Sequence, residues 1–283
     1  MKSLRQGLRA APVLSPPKYD AYFALVFLLL GACGGGTHAG DATEKLDSVG
    51  GVDGGRGFGS ATISVSSYKA TTPTLDDGVA MVTFDRVGCV YSNVGDCLGY
   101  EGCGTGPSNQ VDLGDVSVGG TIPNQPITVA SPDYRFAQSG PLFVPGAMVS
   151  VSASGGQISG FATSLTAPSQ ITVTTPTSGS GFDLSGDDLS LEWTGSSAGD
   201  VVVTLSQNIT DTLNVRGVVC RFDATLGSGV VPGSVVRSLP GIDTVSVQTA
   251  TTNNIVDAGW TIAVVSSFNS IFKNGDDAVV IIH

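Results

Sequence analysis

Histidine, glutamate and lysine are scarce in this 283-residue chain, and each scarcity closes off some chemistry. The two histidines are His38, in a Gly-rich stretch, and His283, the last residue. A Ser-His-Asp or Cys-His arrangement needs a base held by its fold, and neither position is expected to supply one. Glutamate occurs at Glu44, Glu101 and Glu192 alone. A glycosidase-type pair would have to be drawn from Glu101, Glu192 and scattered aspartates. Glu192 lies between Leu191 and Trp193 on an alternating strand and is expected to face solvent. Lysine and arginine number 13 against 24 acidic residues, a net charge of −11. That balance argues against nucleic acid and anionic lipid as partners. No paired C-x-x-C units exist to hold zinc, and no helical apolar period exceeds about two turns after residue 33.

What is present begins with "AYFALVFLLLGA", Ala21 to Ala32, twelve residues without charge. A bilayer-spanning helix needs about 20 apolar residues, so this run is too short to span alone. Lys2, Arg5, Arg9 and Lys18 precede it, against one acid, Asp20. A basic start, a short apolar run and a small-residue end make a secretory signal peptide. Its last four residues, Leu30-Gly31-Ala32-Cys33, resemble the lipobox of bacterial lipoproteins. The resemblance implies a diacylglyceryl group on the Cys33 thiol, cleavage before Cys33, and acylation of the new amino group. Gly34 stands where an Asp would favour inner-membrane retention, which implies the outer membrane. Cleavage would leave 251 residues with 9 basic and 23 acidic side chains, net −14.

Residues 34–59, "GGGTHAGDATEKLDSVGGVDGGRGFG", have little to bury and read as a flexible tether. A Gly-rich coil of that length reaches roughly 25–30 Å. Beyond Cys33 the cysteines are Cys89, Cys97, Cys103 and Cys220. An exported chain favours disulfides, and four cysteines allow three pairings. Three of the four lie within 89–103, so every complete pairing joins Cys220 to that cluster. The other arrangement is one local disulfide, with Cys220 and one other cysteine left as free thiols.

From residue 59 onward the pattern has period two or is solidly β-branched. The segments 61–70, 79–90, 148–154, 171–176, 189–195, 200–206, 215–224, 243–250, 259–268 and 277–283 read as strands separated by Gly, Asn, Asp, Ser and Pro. Many short strands at such spacing predict an all-β protein, a β-sandwich assembly of one or two packed units. A hairpin is expected around "QNITDTL", and Asn274-Gly275 signals another, which would return the last strand onto "WTIAVVSSF". Pro168 and Pro176 bracket a strand at a boundary. The expected organisation is therefore 1–32 signal peptide, 33–58 lipidated tether, 59–168 first sandwich half and 169–283 second half. In the second half, Pro176, Gly186, Leu191, Trp193, Val203 and Leu205 occupy a turn, an Ile-x-Trp-like strand and a Val-x-Leu strand. That pattern resembles the Ig-like and fibronectin-like modules of surface proteins, and implies an Ig-like sandwich.

Two further features are candidates for binding. Asp183, Asp187 and Asp188 in "DLSGDD" could offer oxygens to Ca²⁺. EF-hand spacing is absent, and Asp beside Gly is ordinary turn composition, so no metal or cofactor is expected. Tyr91 and Tyr100 lie in the cysteine-rich segment, read as an exposed cross-linked loop suited to ligand recognition. Trp193 and Trp260 sit in apolar strands and are expected in the core. The expected function is a membrane-anchored, non-enzymatic module for binding or envelope structure, held through lipid on Cys33, with a protein or glycan ligand. The alternatives are a carbohydrate-binding module and an envelope-polymer hydrolase using Asp and Glu carboxylates.

Overall fold

β-Branched residues at period two dominate the chain after residue 59, and the computed structural model turns them almost entirely into strands. It describes residues 60–67, 78–84, 90–103, 111–122, 125–131, 134–177, 181–185, 187–195, 198–207, 215–239, 241–242, 244–257, 259–275 and 279–281. The strands are β1 (Ser60–Ser67), β2 (Gly78–Phe84), β3 (Val90–Val94), β4 (Cys97–Cys103), β5 (Val116–Gly119), β6 (Ile127–Val129), β7 (Arg135–Gln138), β8 (Met148–Ala153) and β9 (Phe161–Thr166). They continue with β10 (Thr172–Thr175), β11 (Leu189–Thr194), β12 (Asp200–Gln207), β13 (Val215–Asp223), β14 (Ser228–Val231), β15 (Thr244–Asp257), β16 (Trp260–Asn269), β17 (Ile271–Phe272) and β18 (Val279–Ile281). Among the described residues the one α-helix is the five-residue turn Gly233–Arg237.

A ten-stranded sheet runs in the order β3-β4-β13-β12-β15-β16-β1-β2-β7, with β18 also on β15. Two four-stranded sheets, β6-β5-β8-β9 and β14-β11-β10-β17, complete the architecture. The large sheet is jointed at β15. Residues 244–250 of that strand pair with β12, whereas residues 248–257 pair with β16. Strand β16 then passes through Ser270 into β17, which belongs to a four-stranded sheet.

Each half of the large sheet packs against one small sheet. The first core joins Ile63 and Val65 of β1, Val82 of β2 and Ile262 and Val264 of β16 to Val116, Val118, Val149, Val151 and Leu165 of the facing sheet. Phe143 closes it edge-on against Phe268, with centroids 5.9 Å apart. The second core joins Val201, Val203, Leu205, Val218, Val245 and Val247 to Ile171, Val173, Leu191 and Trp193. Phe182 meets Phe272 there at 5.8 Å. Edge-to-face pairs of this kind add about 0.5–1.5 kcal/mol beyond area burial. Residues 61–167 supply the buried first core except for Ile262, Val264 and Phe268. Residues 171–272 with Cys97 supply the second. The cores thus change over near residue 168, while the large sheet draws strands from both sides of that point.

The open edge of β9 is met by side chains, not by another backbone ladder. Thr251 Oγ1 donates to the Thr166 carbonyl at 2.8 Å, and Asn253 Nδ2 donates to Thr163 Oγ1 at 2.6 Å. Thr249 Oγ1 donates to the Ser169 carbonyl at 2.8 Å, and the Ser159 N–H donates to Asp257 Oδ2 at 2.8 Å. An exposed strand edge invites pairing with other chains, and this row of polar side chains occupies it.

The hairpin expected around "QNITDTL" is formed by β12 and β13, paired from Asp200↔Asp223 to Gln207↔Arg216. The expected course of the last strand needs correction. A tight turn does close at Gly275, whose N–H donates to the Phe272 carbonyl at 2.8 Å. Strand β18 then pairs with Thr244–Ser246 of β15, not with β16. Strand β16 is already flanked by β15 on one side and by β1, in parallel, on the other.

Cys97 and Cys220 are directly opposed on β4 and β13 and form a disulfide across 123 residues of sequence. Cys220 is therefore joined to the 89–103 cluster, and of the two arrangements left open by the sequence the one with a free Cys220 is not found. Cys89 lies outside the described residues. A cross-link closing so long a loop typically contributes about 2–4 kcal/mol. Cys220→Ala is expected to lower the melting temperature accordingly. Digestion without reduction should release a peptide containing Cys97 bound to one containing Cys220.

Candidate functional site

The segment read as an exposed cysteine loop is instead the hairpin β3–β4, paired from Val90↔Glu101 to Val94↔Cys97. Gly95 and Asp96 form its turn, with Gly95 at φ 59, a left-handed value that suits glycine. Strand β4 docks on β13, placing Tyr100 opposite Gly217. The tyrosine lies across that glycine so closely that a methyl group at 217 would overlap the Tyr100 hydroxyl. Tyr100 is 3 % exposed, which corrects its expected place on a ligand-facing loop. Tyr91 is its cross-strand partner in the β3–β4 register. The open feature of the hairpin is its outer end, where Asn93 and Val94 are exposed.

The tryptophans and Glu192 lie close to where the sequence pattern puts them. Trp193 is buried in the second core, lies 6.4 Å from the Phe222 ring, and donates its indole N–H to the Ala224 carbonyl at 2.9 Å. Trp260 packs half-buried against the first core. Glu192 is exposed and accepts from Thr175 Oγ1 at 2.9 Å. Cys33, His38, Gly186 and His283 lie outside the described residues.

Of the three candidate aspartates, Asp183 and Asp188 accept from backbone N–H groups, and Asp187 is exposed. Asp183 Oδ1 accepts from the Ser185 N–H at 2.9 Å, and the Ser185 backbone and side chain hold its carboxyl below the usual range. Asp188 Oδ1 accepts from the Gly233 N–H at 2.7 Å and so steadies the short helix. Asp223 accepts from the Thr225 hydroxyl at 2.7 Å and its N–H at 2.8 Å, and both bonds lower its pKa. Asp183 and Asp223 make Asx-type turns, in which a short side chain replaces a backbone acceptor. Among the described residues no three His, Cys, Asp or Glu side chains gather as a metal-binding group.

One polar device has no counterpart in the sequence pattern. Tyr134 is the one non-glycine residue with positive φ among those described, at 40°. Its carbonyl accepts from the Val82 N–H at 2.9 Å, extending the β2–β7 ladder. Its buried hydroxyl accepts from the Leu113 N–H at 3.3 Å and faces the Gly114 carbonyl at 3.1 Å and Asp112 Oδ1 at 3.4 Å. Asp112 in turn accepts from the Gly114 N–H at 2.8 Å, and its own N–H donates to Gln157 at 3.0 Å. The ring therefore ties the large sheet to the loop leading into β5.

A second such feature is the face of the large sheet turned away from both cores. Thr62, Ser64, Ser66, Thr204, Ser246 and Gln248 alternate with core residues, yet each is buried. Val202, Val219, Ala250, Ala263, Val265 and Tyr100 form an apolar cluster on the same face. Among the described residues, Ser64 Oγ, Thr204 Oγ1, Ser246 Oγ and Gln248 Nε2 have no hydrogen-bond partner. Each such group costs on the order of 1–3 kcal/mol when left unpaired.

Burial raises the Tyr134 pKa above its ordinary 10.0, with Asp112 adding to the effect. A raised folded-state value means full stabilisation below about pH 10 and its loss as pH climbs through the folded pKa. Tyr134→Phe should cost about 1–3 kcal/mol near neutral pH. It should also flatten the fall of melting temperature above about pH 10, measured by thermal unfolding across the alkaline range.

No protein-family model matches this chain, and no curated protein matches it.

Proposed function

We propose that this chain is an exported lipoprotein of the bacterial envelope, anchored through Cys33, whose β body is a non-enzymatic binding or structural module. The observation that carries the reading is the order of parts. A basic start and an apolar run end on Leu30-Gly31-Ala32-Cys33, a Gly-rich tether follows, and strand β1 begins at Ser60. Two or three acyl chains hold a protein durably where one holds it marginally. The tether gives the body slack beyond the headgroups, and Gly34 after the cysteine favours the outer membrane.

The non-enzymatic part of the reading is supported by how the polar groups are used. Asp112, Asp183, Asp188, Asp223 and Asp257 accept from backbone N–H groups and shape turns or contacts. Tyr100 and Trp193 are buried, so neither ring forms an exposed platform for sugar. Recognition is then a property of strand edges and loops on a rigid scaffold.

Cys33→Ser is expected to abolish lipidation. The variant should accumulate as an unprocessed or soluble species and leave the detergent phase, whereas the unaltered protein partitions into it with a mature end at Cys33. Unchanged partitioning of the variant, or a mature end elsewhere, would contradict the anchor.

A further inference from the structure

The sheet edges of this protein are guarded unequally. Strand β9 has its open edge occupied by β15 side chains. Strands β6 and β17 are three and two residues long. Strand β7 carries Arg135, and β14 runs directly into Pro232. Short length, charge and proline are ordinary ways to keep an edge from pairing. Strand β3 has none of them. It is five residues, "VYSNV", at one end of the ten-stranded sheet, and β4 is its one strand partner among the described residues. Its ladder with β4 has an unbroken register, so no bulge twists the edge away. The neighbouring β4 is fixed to β13 by the Cys97–Cys220 disulfide, which holds the edge on a rigid frame. Val94, at the end of β3, is 41 % exposed.

We propose that β3 is an assembly edge at which two copies of this chain pair in antiparallel fashion, centred on Ser92. Charge favours a second copy at this edge. The chain carries a net charge of −11, and −14 after the proposed cleavage, so two copies repel over most approaches, yet residues 87–95 contain no charged side chain. The strand is also self-complementary. Antiparallel pairing about Ser92 places Val90 against Val94 and Tyr91 against Asn93 across a two-fold axis, the isologous arrangement of symmetric dimers. The contact extends an existing sheet and draws its affinity from backbone hydrogen bonds. A five-residue edge buries less than a stable, permanent dimer requires, so the association is weak and concentration-dependent.

The test uses the protein as it is processed in the cell, purified from whichever fraction holds it. Sedimentation over a concentration series should show the mass doubling as concentration rises, and Asn93→Pro, which removes a backbone N–H from the open side of β3, should lose the doubling. Ser92→Cys leaves the backbone able to pair. Under mild oxidation it should yield a peptide disulfide-linked to its own copy through the introduced thiols. Ser150→Cys, on the exposed face of β8, should yield no such self-linked peptide. A protein that stays monomeric throughout the series overturns the inference. So does a dimer in which the Ser92→Cys thiols form no link to each other. A monomeric protein that instead pairs a different polypeptide at β3 overturns self-association as well. Should Asn93→Pro fail to fold, the Ser92→Cys link against the Ser150→Cys control decides alone.

Discussion

Strand β15 belongs to both halves of the molecule, and the remaining architecture depends on that. Val245 and Val247 at its start are buried in the second core, while Ile255 near its end packs on the first. Its partners change along its length, from β12 and β18 to β16. Fourteen residues of one strand therefore set the registers of two sheet halves at once. A one-residue slip of β15 would turn its own core side chains, Val245, Val247 and Ile255 among them, to the wrong face. The Thr249, Thr251 and Asn253 side chains add a lateral restraint by reaching the β9 segment. The passage of β16 into β17 is a second tie, because Phe268 and Phe272 sit in different cores four residues apart.

The polar chemistry of the described residues is directed inward to this framework. Aspartates close turns, Tyr134 bridges a sheet to a loop, and Thr and Asn side chains occupy an edge. The disulfide secures the one hairpin from early in the chain that is inserted into the sheet of the second core. The edge of β3 is one of several strand edges left without a backbone partner among the described residues.

The strands legible in the sequence are those with alternating or continuous β-branched residues. Segments 148–154, 189–195, 200–206, 215–224 and 259–268 correspond closely to β8, β11, β12, β13 and β16. Strands β3 and β4 are hidden because Gly, Cys and Tyr interrupt the apolar pattern, and the partner that completes them is β13, with Cys220 lying 123 residues beyond Cys97. Strand β15 is legible only to residue 250, since "TTNN" has turn composition, whereas its polar side chains serve the β9 edge. Strands β5, β6, β7 and β9 are short and flanked by Gly and Pro, so local propensity carries little signal. The buried Ser and Thr residues of the outer face look solvent-directed in any single strand. Their burial is a tertiary outcome, as is the role of Tyr134, whose partners lie 20 to 22 residues away.

The two tryptophans permit a direct measurement of whether the shared strand makes the cores one cooperative unit. Trp193 is in the second core and Trp260 packs on the first. Trp260→Phe leaves Trp193 as the sole tryptophan probe, and Trp193→Phe leaves Trp260. In each variant, urea unfolding followed by fluorescence is compared with the loss of strand signal in circular dichroism. If β15 couples the cores, the two probes coincide within each variant, as they must for two-state unfolding. Separate transitions, with one tryptophan released while half of the strand signal persists, would contradict that coupling.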